Sequence, residues 1–124
     1  SRSRERSTKI LKLADGLGIR VAWLPFESEP PRCNLIVSTV PAGSLIRRAE
    51  DLAARANAVF DVVYDPWPTP LAVAGKIAGA TVIDGLDLLA GQAVGQVQLM
   101  TGYPVPMDVL RSTAQNGLAE HARL

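Results

Sequence analysis

The chain reads as an α/β domain: a doubly wound parallel sheet of about four strands with flanking helices. Short, largely apolar runs recur at 19–24, 35–40, 59–63 and 80–83, and the segments between them carry apolar residues at helical spacing. The links are short, so strand and helix alternate directly, as in a sheet covered on both faces. Ala, Val and Leu dominate a composition that is 48% apolar and only 5% aromatic, which suits buried parallel strands.

Each element has its own signals. Residues 4–16 place Ile10, Leu11, Leu13, Ala14 and Leu17 at helical spacing. Ser3 can cap that helix, and Gly16 and Gly18 end it. The strand at 19–24 stops at Pro25, and residues 27–32, with Pro30 and Pro31, form a loop. The strand at 35–40 ends at Pro41-Ala42-Gly43. Ser44 then caps a helix whose buried stripe is Leu45, Ala49, Leu52, Ala53 and Ala56. After the strand at 59–63, Thr69-Pro70 starts a helix: a hydroxyl cap, then a proline whose missing N–H costs nothing at the first helical position. That helix ends at Gly79, the strand at 80–83 follows, and a helix over 86–101 ends at Gly102. A last helix covers about 108–122.

Composition narrows the function. At 124 residues the chain is at most one ordinary domain. A formal net charge of +1 and the lack of a long single-sign run favour neither nucleic acid nor an anionic membrane. The basic cluster is Arg2, Arg4 and Arg6. With one cysteine, Cys33, no internal disulfide can form, so a reducing, cytoplasmic setting is expected. No apolar stretch approaches the roughly 20 residues that span a bilayer. Cys33 and His121 are too far apart in sequence to suggest a metal site, and no nucleophile elbow is present.

Two stretches carry most of the chemistry. Asp61-Val-Val-Tyr64-Asp-Pro66 leads into Thr69-Pro70-Leu71, and Asp84-Gly85-Leu86-Asp87-Leu88-Leu89 leads into Gln92-Ala93. Both are strand-to-helix turns, at the sheet edge where open α/β proteins bind ligands. Tyr64 is either a ligand contact or a half-buried residue under the Pro66-Trp67-Pro68 loop. Asp61 satisfies nearby backbone groups or lies close to the site. Gly85 lets backbone approach a cofactor closely. Gln92 lies four residues past Leu88 on the same helical face, as a ligand contact or an exposed polar residue. At the amino terminus, Arg2, Ser3 and Arg6 are either a solvated helix start or an anion site, in which a guanidinium would accept the 2′-phosphate of NADP.

These two stretches resemble the carboxyl-terminal part of shikimate dehydrogenases, with their Asp-x-x-Tyr-x-Pro strand end, Thr-Pro-Leu helix start and Gly-x-x-Met-Leu-x-x-Gln-Ala helix. Ser1-Arg2-Ser3-Arg4-Glu5-Arg6 looks like that family's Asn-Arg-Thr-x-x-Arg, and Ser38-Thr39-Val40-Pro41-Ala42-Gly43 like its Asn-Ala-Thr-Pro-x-Gly. The resemblance implies a partial Rossmann-like, NADP-binding domain over 1–102 and a carboxyl-terminal helix over 103–124. It implies cofactor contacts at Arg2, Ser3, Arg6, Ser38, Val40, Gly85 and Leu88, and substrate contacts at Tyr64 and Gln92. The reaction it implies is reversible hydride transfer between NADPH and 3-dehydroshikimate, giving shikimate for aromatic amino-acid biosynthesis. Leu88 stands where the family has Met, Ser38 where it has Asn, and Val40 where it has Thr.

The family's catalytic lysine and aspartate belong to an amino-terminal substrate domain and are not assigned here; Lys9, Lys12 and Lys76 lie on predicted helices away from the site. The phosphate-binding Gly-x-Gly-x-x-Gly is also missing, since Gly16-Leu17-Gly18 lacks the third glycine and precedes a strand. The chain is therefore expected to be part of a larger protein, starting after the second strand of the nucleotide domain. The strand at 19–24 would then lack its neighbour, and the other strands would expose an edge that invites a second chain, a homodimer included. Other readings are a quinate-preferring dehydrogenase using NAD, a methylene-tetrahydrofolate dehydrogenase-like protein, and a non-catalytic ligand-binding or assembly module. Arg2 argues against the first, and Tyr64 and Gln92 against the second. The purified 124-residue chain is expected to show no NADP-linked oxidation of shikimate; measurable turnover would refute this.

Overall fold

A computed structural model describes residues 3–121. The chain divides into two compact units, residues 1–31 and 32–124.

In the first unit, α1 spans Arg4–Gly16. Its start follows the expected chemistry: the Ser3 hydroxyl accepts from the Arg6 amide at 3.4 Å. Its end is closed by the Leu17 amide on the Leu13 and Ala14 carbonyls and by the Gly18 amide on Asp15, with Gly18 at φ +67°. Residues 19–24 do not form the expected strand. They carry no ladder hydrogen bonds, and Ile19, Val21 and Leu24 remain about half exposed. An apolar run becomes a strand only where a neighbour supplies its backbone partners.

The second unit is built on β1 (Cys33–Ser38), β2 (Ala56–Asp61) and β3 (Thr81–Ile83), paired in parallel in the order β1-β2-β3. The sheet thus has three strands where about four were expected. β1 and β2 begin two or three residues earlier than their apolar runs because pairing, not hydropathy, sets their bounds. Cys33 pairs with Ala56, the Cys33 amide donates to the Arg55 carbonyl, and Asn57 Nδ2 donates to Asn34 Oδ1 at 3.2 Å. This pairing also corrects the helix expected from Ser44. Ala56 is drawn into β2, so its stripe breaks into a 3₁₀ turn at Ala42–Leu45 and a short α2 at Ala49–Ala53, and Ser44 caps neither.

On one sheet face, Ile36, Val59 and Val82 lie side by side in register. Helices α2 and α3 (Pro70–Ile77) pack there through small residues: Ala49, Ala53 and Ala74 form a buried cluster. Val59 and Leu71 are fully buried. On the other face of β1, Leu35 and Val37 are about half exposed. The remaining helices, α4 (Gly85–Thr101) and α5 (Met107–His121), pack against each other as a hairpin. No helix among the described residues is long and apolar enough to cross a membrane.

Gly75 sets how closely α3 approaches the sheet. A Cβ at that position would lie 2.6 Å from Val59 Cγ2 and 3.1 Å from Val82 Cγ2. Val59 is enclosed and has no room to yield. Gly75→Ala should therefore destabilise the protein by about 1–2 kcal/mol, because overpacking outweighs the gain in helix propensity. Chemical denaturation checks this, and a more stable variant would contradict it.

Candidate functional site

The parallel register brings three strand ends to one level. Ser38 is paired with Asp61, and Phe60 with Ile83, so Ser38, Asp61 and Asp84 close three adjacent strands in a row. All three are buried polar residues, at 5%, 1% and 8% exposure. The turns after β2 and β3 are built around Asp61 and Asp84.

Asp61 closes β2. Its Oδ1 accepts from the Val63 amide at 3.3 Å and its Oδ2 from the Thr69 hydroxyl at 2.8 Å. The Thr69 hydroxyl in turn accepts from the Ala72 amide at 3.2 Å and so caps α3. Asp61 thus satisfies nearby groups and at the same time lies in the row of strand ends. The loop between them carries Tyr64, Asp65, Pro66, Trp67 and Pro68.

Asp84 closes β3 and caps α4 through a reciprocal pair. Its Oδ1 accepts from the Asp87 amide at 2.8 Å, and Asp87 Oδ2 accepts from the Asp84 amide at 3.1 Å. Such a box satisfies two amides at the helix start, and both negative charges suit the positive end of the helix. Arg111 of α5 completes it. Its Nη2 donates to Asp84 Oδ2 and its Nε to Asp87 Oδ1, both at 2.6 Å. For Asp87, burial pushes the carboxyl up, but the hydrogen bonds from Arg111 and the Asp84 backbone and the charge of Arg111 outweigh it, so its pKa lies below the ordinary carboxylate value. For Arg111, the hydrogen bond to Asp87 outweighs partial burial and raises the guanidinium above its ordinary value.

These groups line a cleft of about 530 Å³. Tyr64, Trp67, Lys76, Gln115 and the Asp84–Asp87–Arg111 cluster surround it, with Val82, Leu86 and Leu118 as apolar lining. Tyr64 is about half exposed at the cleft. Lys76 of α3 lines the same cleft as Tyr64.

The other expected site residues do not line this cleft. Gly85 sits tightly on the segment just past β2: a Cβ there would lie 2.2 Å from the Val62 carbonyl oxygen. The glycine is thus required by the protein's own backbone. Leu88 and Gln92 are exposed on α4 and do not line the cleft. Ser38 Oγ is buried with no hydrogen-bond partner among the described residues, and Val40 is half-buried beyond it. Ser3 and Arg6 belong to the first unit, where the Ser3 hydroxyl serves as the cap of α1; Arg2 lies outside the described residues. Sequence reasoning missed Arg111 and Gln115. The spacing Asp84-x-x-Asp87 before an apolar run is a readable capping signal, but no local pattern points to a partner 24 residues on.

Known proteins share this architecture. A shikimate dehydrogenase (NADP(+)) of Methanocella arvoryzae is 36% identical over 91 residues, 68% of this chain and 33% of the relative. The crystal structure of a shikimate 5-dehydrogenase from Mycobacterium fortuitum superposes with a TM-score of 0.78 at 35% identity, over 90% of this chain and 43% of that one. The chain is homologous to part of shikimate dehydrogenase. It spans about a third of the length of the curated relatives it matches. The shikimate 5-dehydrogenase of Thermus thermophilus, solved in complex with shikimate, superposes with a TM-score of 0.66 at 26% identity, over 95% of this chain and 43% of that one. No family model matches the chain. Shikimate dehydrogenases are oxidoreductases of the shikimate pathway, and the three-stranded sheet with its helices is part of their fold.

The lowered pKa of Asp87 gives the brace a pH dependence. A carboxyl whose folded pKa is depressed contributes stability above its unfolded value, about 3.9 for an aspartate, and loses it as pH falls through the folded value. The stability gap between wild type and Arg111→Ala should be fully present at neutral pH, at about 2–3 kcal/mol for a partly buried pair that loses one partner. It should narrow as the pH falls below about 4. Denaturation curves across that range check it; a gap independent of pH would contradict the assignment.

Proposed function

We propose that this chain forms the cofactor-side part of an NADP-dependent shikimate dehydrogenase, which reversibly reduces 3-dehydroshikimate to shikimate. The observation that carries the reading is the carboxyl edge of the sheet, where Ser38, Asp61 and Asp84 close adjacent strands and Tyr64 is presented beside them. Homology to proteins named for NADP+ and to a structure solved with shikimate supplies the substrate classes.

The residues fit a nicotinamide dinucleotide by their chemistry. Ser38 Oγ is an unpartnered buried hydroxyl at the expected position, and an unsatisfied polar group there is costly unless a ligand completes it. NADPH, when bound, supplies the hydride. On this reading Ser38 hydrogen-bonds the cofactor, Val40 and Leu88 give it apolar contact, and the Gly85 main chain meets the carboxamide. Arg2, Ser3 and Arg6 hold the 2′-phosphate. The Tyr64 hydroxyl and the Gln92 amide bind the hydroxyls or carboxylate of the substrate. Proton transfer falls to groups not assigned in this chain. The segment 1–102 serves the cofactor and 103–124 adds the closing helix.

The test is kinetic, in the complete protein that carries this chain. Tyr64→Phe should raise KM for shikimate about tenfold with a smaller change in kcat, as expected for loss of one substrate hydrogen bond. Wild-type protein without NADP-linked shikimate oxidation would sink the reading. A preference for NAD and quinate would instead favour a quinate dehydrogenase.

A further inference from the structure

The first turn of α4 is held from two sides. On the inner side, the Cα of Gly85 rests on the backbone of Val62 and Val63 with no room for a methyl group. On the outer side, Arg111 reaches across from α5 to both members of the helix cap. The oxygens are divided without overlap. Asp84 gives Oδ1 to the Asp87 amide and Oδ2 to Arg111; Asp87 gives Oδ2 to the Asp84 amide and Oδ1 to Arg111. Rotating either carboxylate to follow a displaced arginine would open the cap and the brace together.

We infer that Arg111 is a positioning residue for the site at the carboxyl edge of the sheet. This rests on the functional reading above. The guanidinium fixes the orientation of the first turn of α4, and everything the site takes from α4 follows from that turn: the Gly85 main chain, Leu88 and Gln92. The first helical bond closes there, from the Leu88 amide to the Asp84 carbonyl at 3.3 Å, and Gln92 lies one turn further along the same face. A rigid helix carries a tilt at its first turn to every later residue. A misplacement of about 1 Å in a site can cost roughly a hundredfold in rate. The planar fork matters as much as the charge. An arginine spans two carboxylates with fixed geometry, whereas a lysine offers a compact point charge. Helix α5 packs on α4 through Leu110, Ala114 and Leu118, which are only partly covered, so the two bonds from Arg111 are the polar link that fixes the cap within that interface.

The experiment compares wild type, Arg111→Lys and Arg111→Ala in the complete protein, at a temperature where circular dichroism shows each variant folded. Two quantities are read: steady-state kinetics of NADP-linked shikimate oxidation, and hydrogen exchange at the amides of residues 85–88. Arg111→Ala should lose about 10- to 100-fold in kcat/KM, beyond what its folded fraction explains, with Arg111→Lys in between. Exchange should quicken at residues 85–88 while β1 and β2 keep their protection. Unchanged protection at 85–88, or an activity loss that only follows the unfolded fraction, overturns the inference. If Arg111→Ala does not fold, Arg111→Lys decides by the same two readouts. If wild type lacks the activity, the functional reading fails on its own account. Exchange at 85–88 then decides the brace: faster exchange upholds it, and unchanged exchange overturns it.

Discussion

Parallel pairing in register is the constraint on which the rest of this domain depends. It stops three strands at one level, and each stop falls on a polar side chain removed from water. A buried polar group must find partners, and the solutions adopted at the three ends shape everything downstream. Asp61 takes the hydroxyl that caps α3. Asp84 becomes the cap of α4. The end of a strand and the start of the next helix are therefore one hydrogen-bonded unit. Ser38 is the end left open.

The two closed ends differ in reach. Asp61 and Thr69 are eight residues apart and bridge a single loop. Arg111 reaches back 24 and 27 residues to Asp87 and Asp84, tying the last helix to the turn that begins α4. Its energetic weight also differs from that of the surface pairs. Arg55 and Asp51 meet at 2.9 Å across the end of α2, but Asp51 is about half exposed, and such pairs contribute little. Around Arg111 the acids are less exposed and belong to a cap, so losing the cation would leave two carboxylates facing each other at one helix start.

Helix starts were the most legible feature of the sequence. Ser3 and Thr69-Pro70 mark them by local chemistry, and the structure uses both. Local chemistry failed where backbone pairing intervened. Residues 19–24 have the hydropathy of a strand and no neighbour among the described residues, so they stay irregular. Ala56 belongs to a helical stripe by spacing and to β2 by pairing with Cys33. Gly85 stands where the Val62 carbonyl leaves no room for a Cβ, a contact that no local pattern announces. Tyr64 lines a cleft that Leu88 and Gln92 do not line.

From the order of residues alone came the alternation of strand and helix, the caps at Ser3 and Thr69, and the resemblance on which the functional reading rests, because all three are written in short-range spacing. The three-dimensional arrangement decided which apolar runs became strands, which glycines were indispensable, and which charges met. Those outcomes depend on contacts between segments far apart in the chain. Arg111 shows the difference most clearly: in sequence it is one arginine of a polar helix, and only the fold turns it into the counter-charge of a cap two dozen residues away.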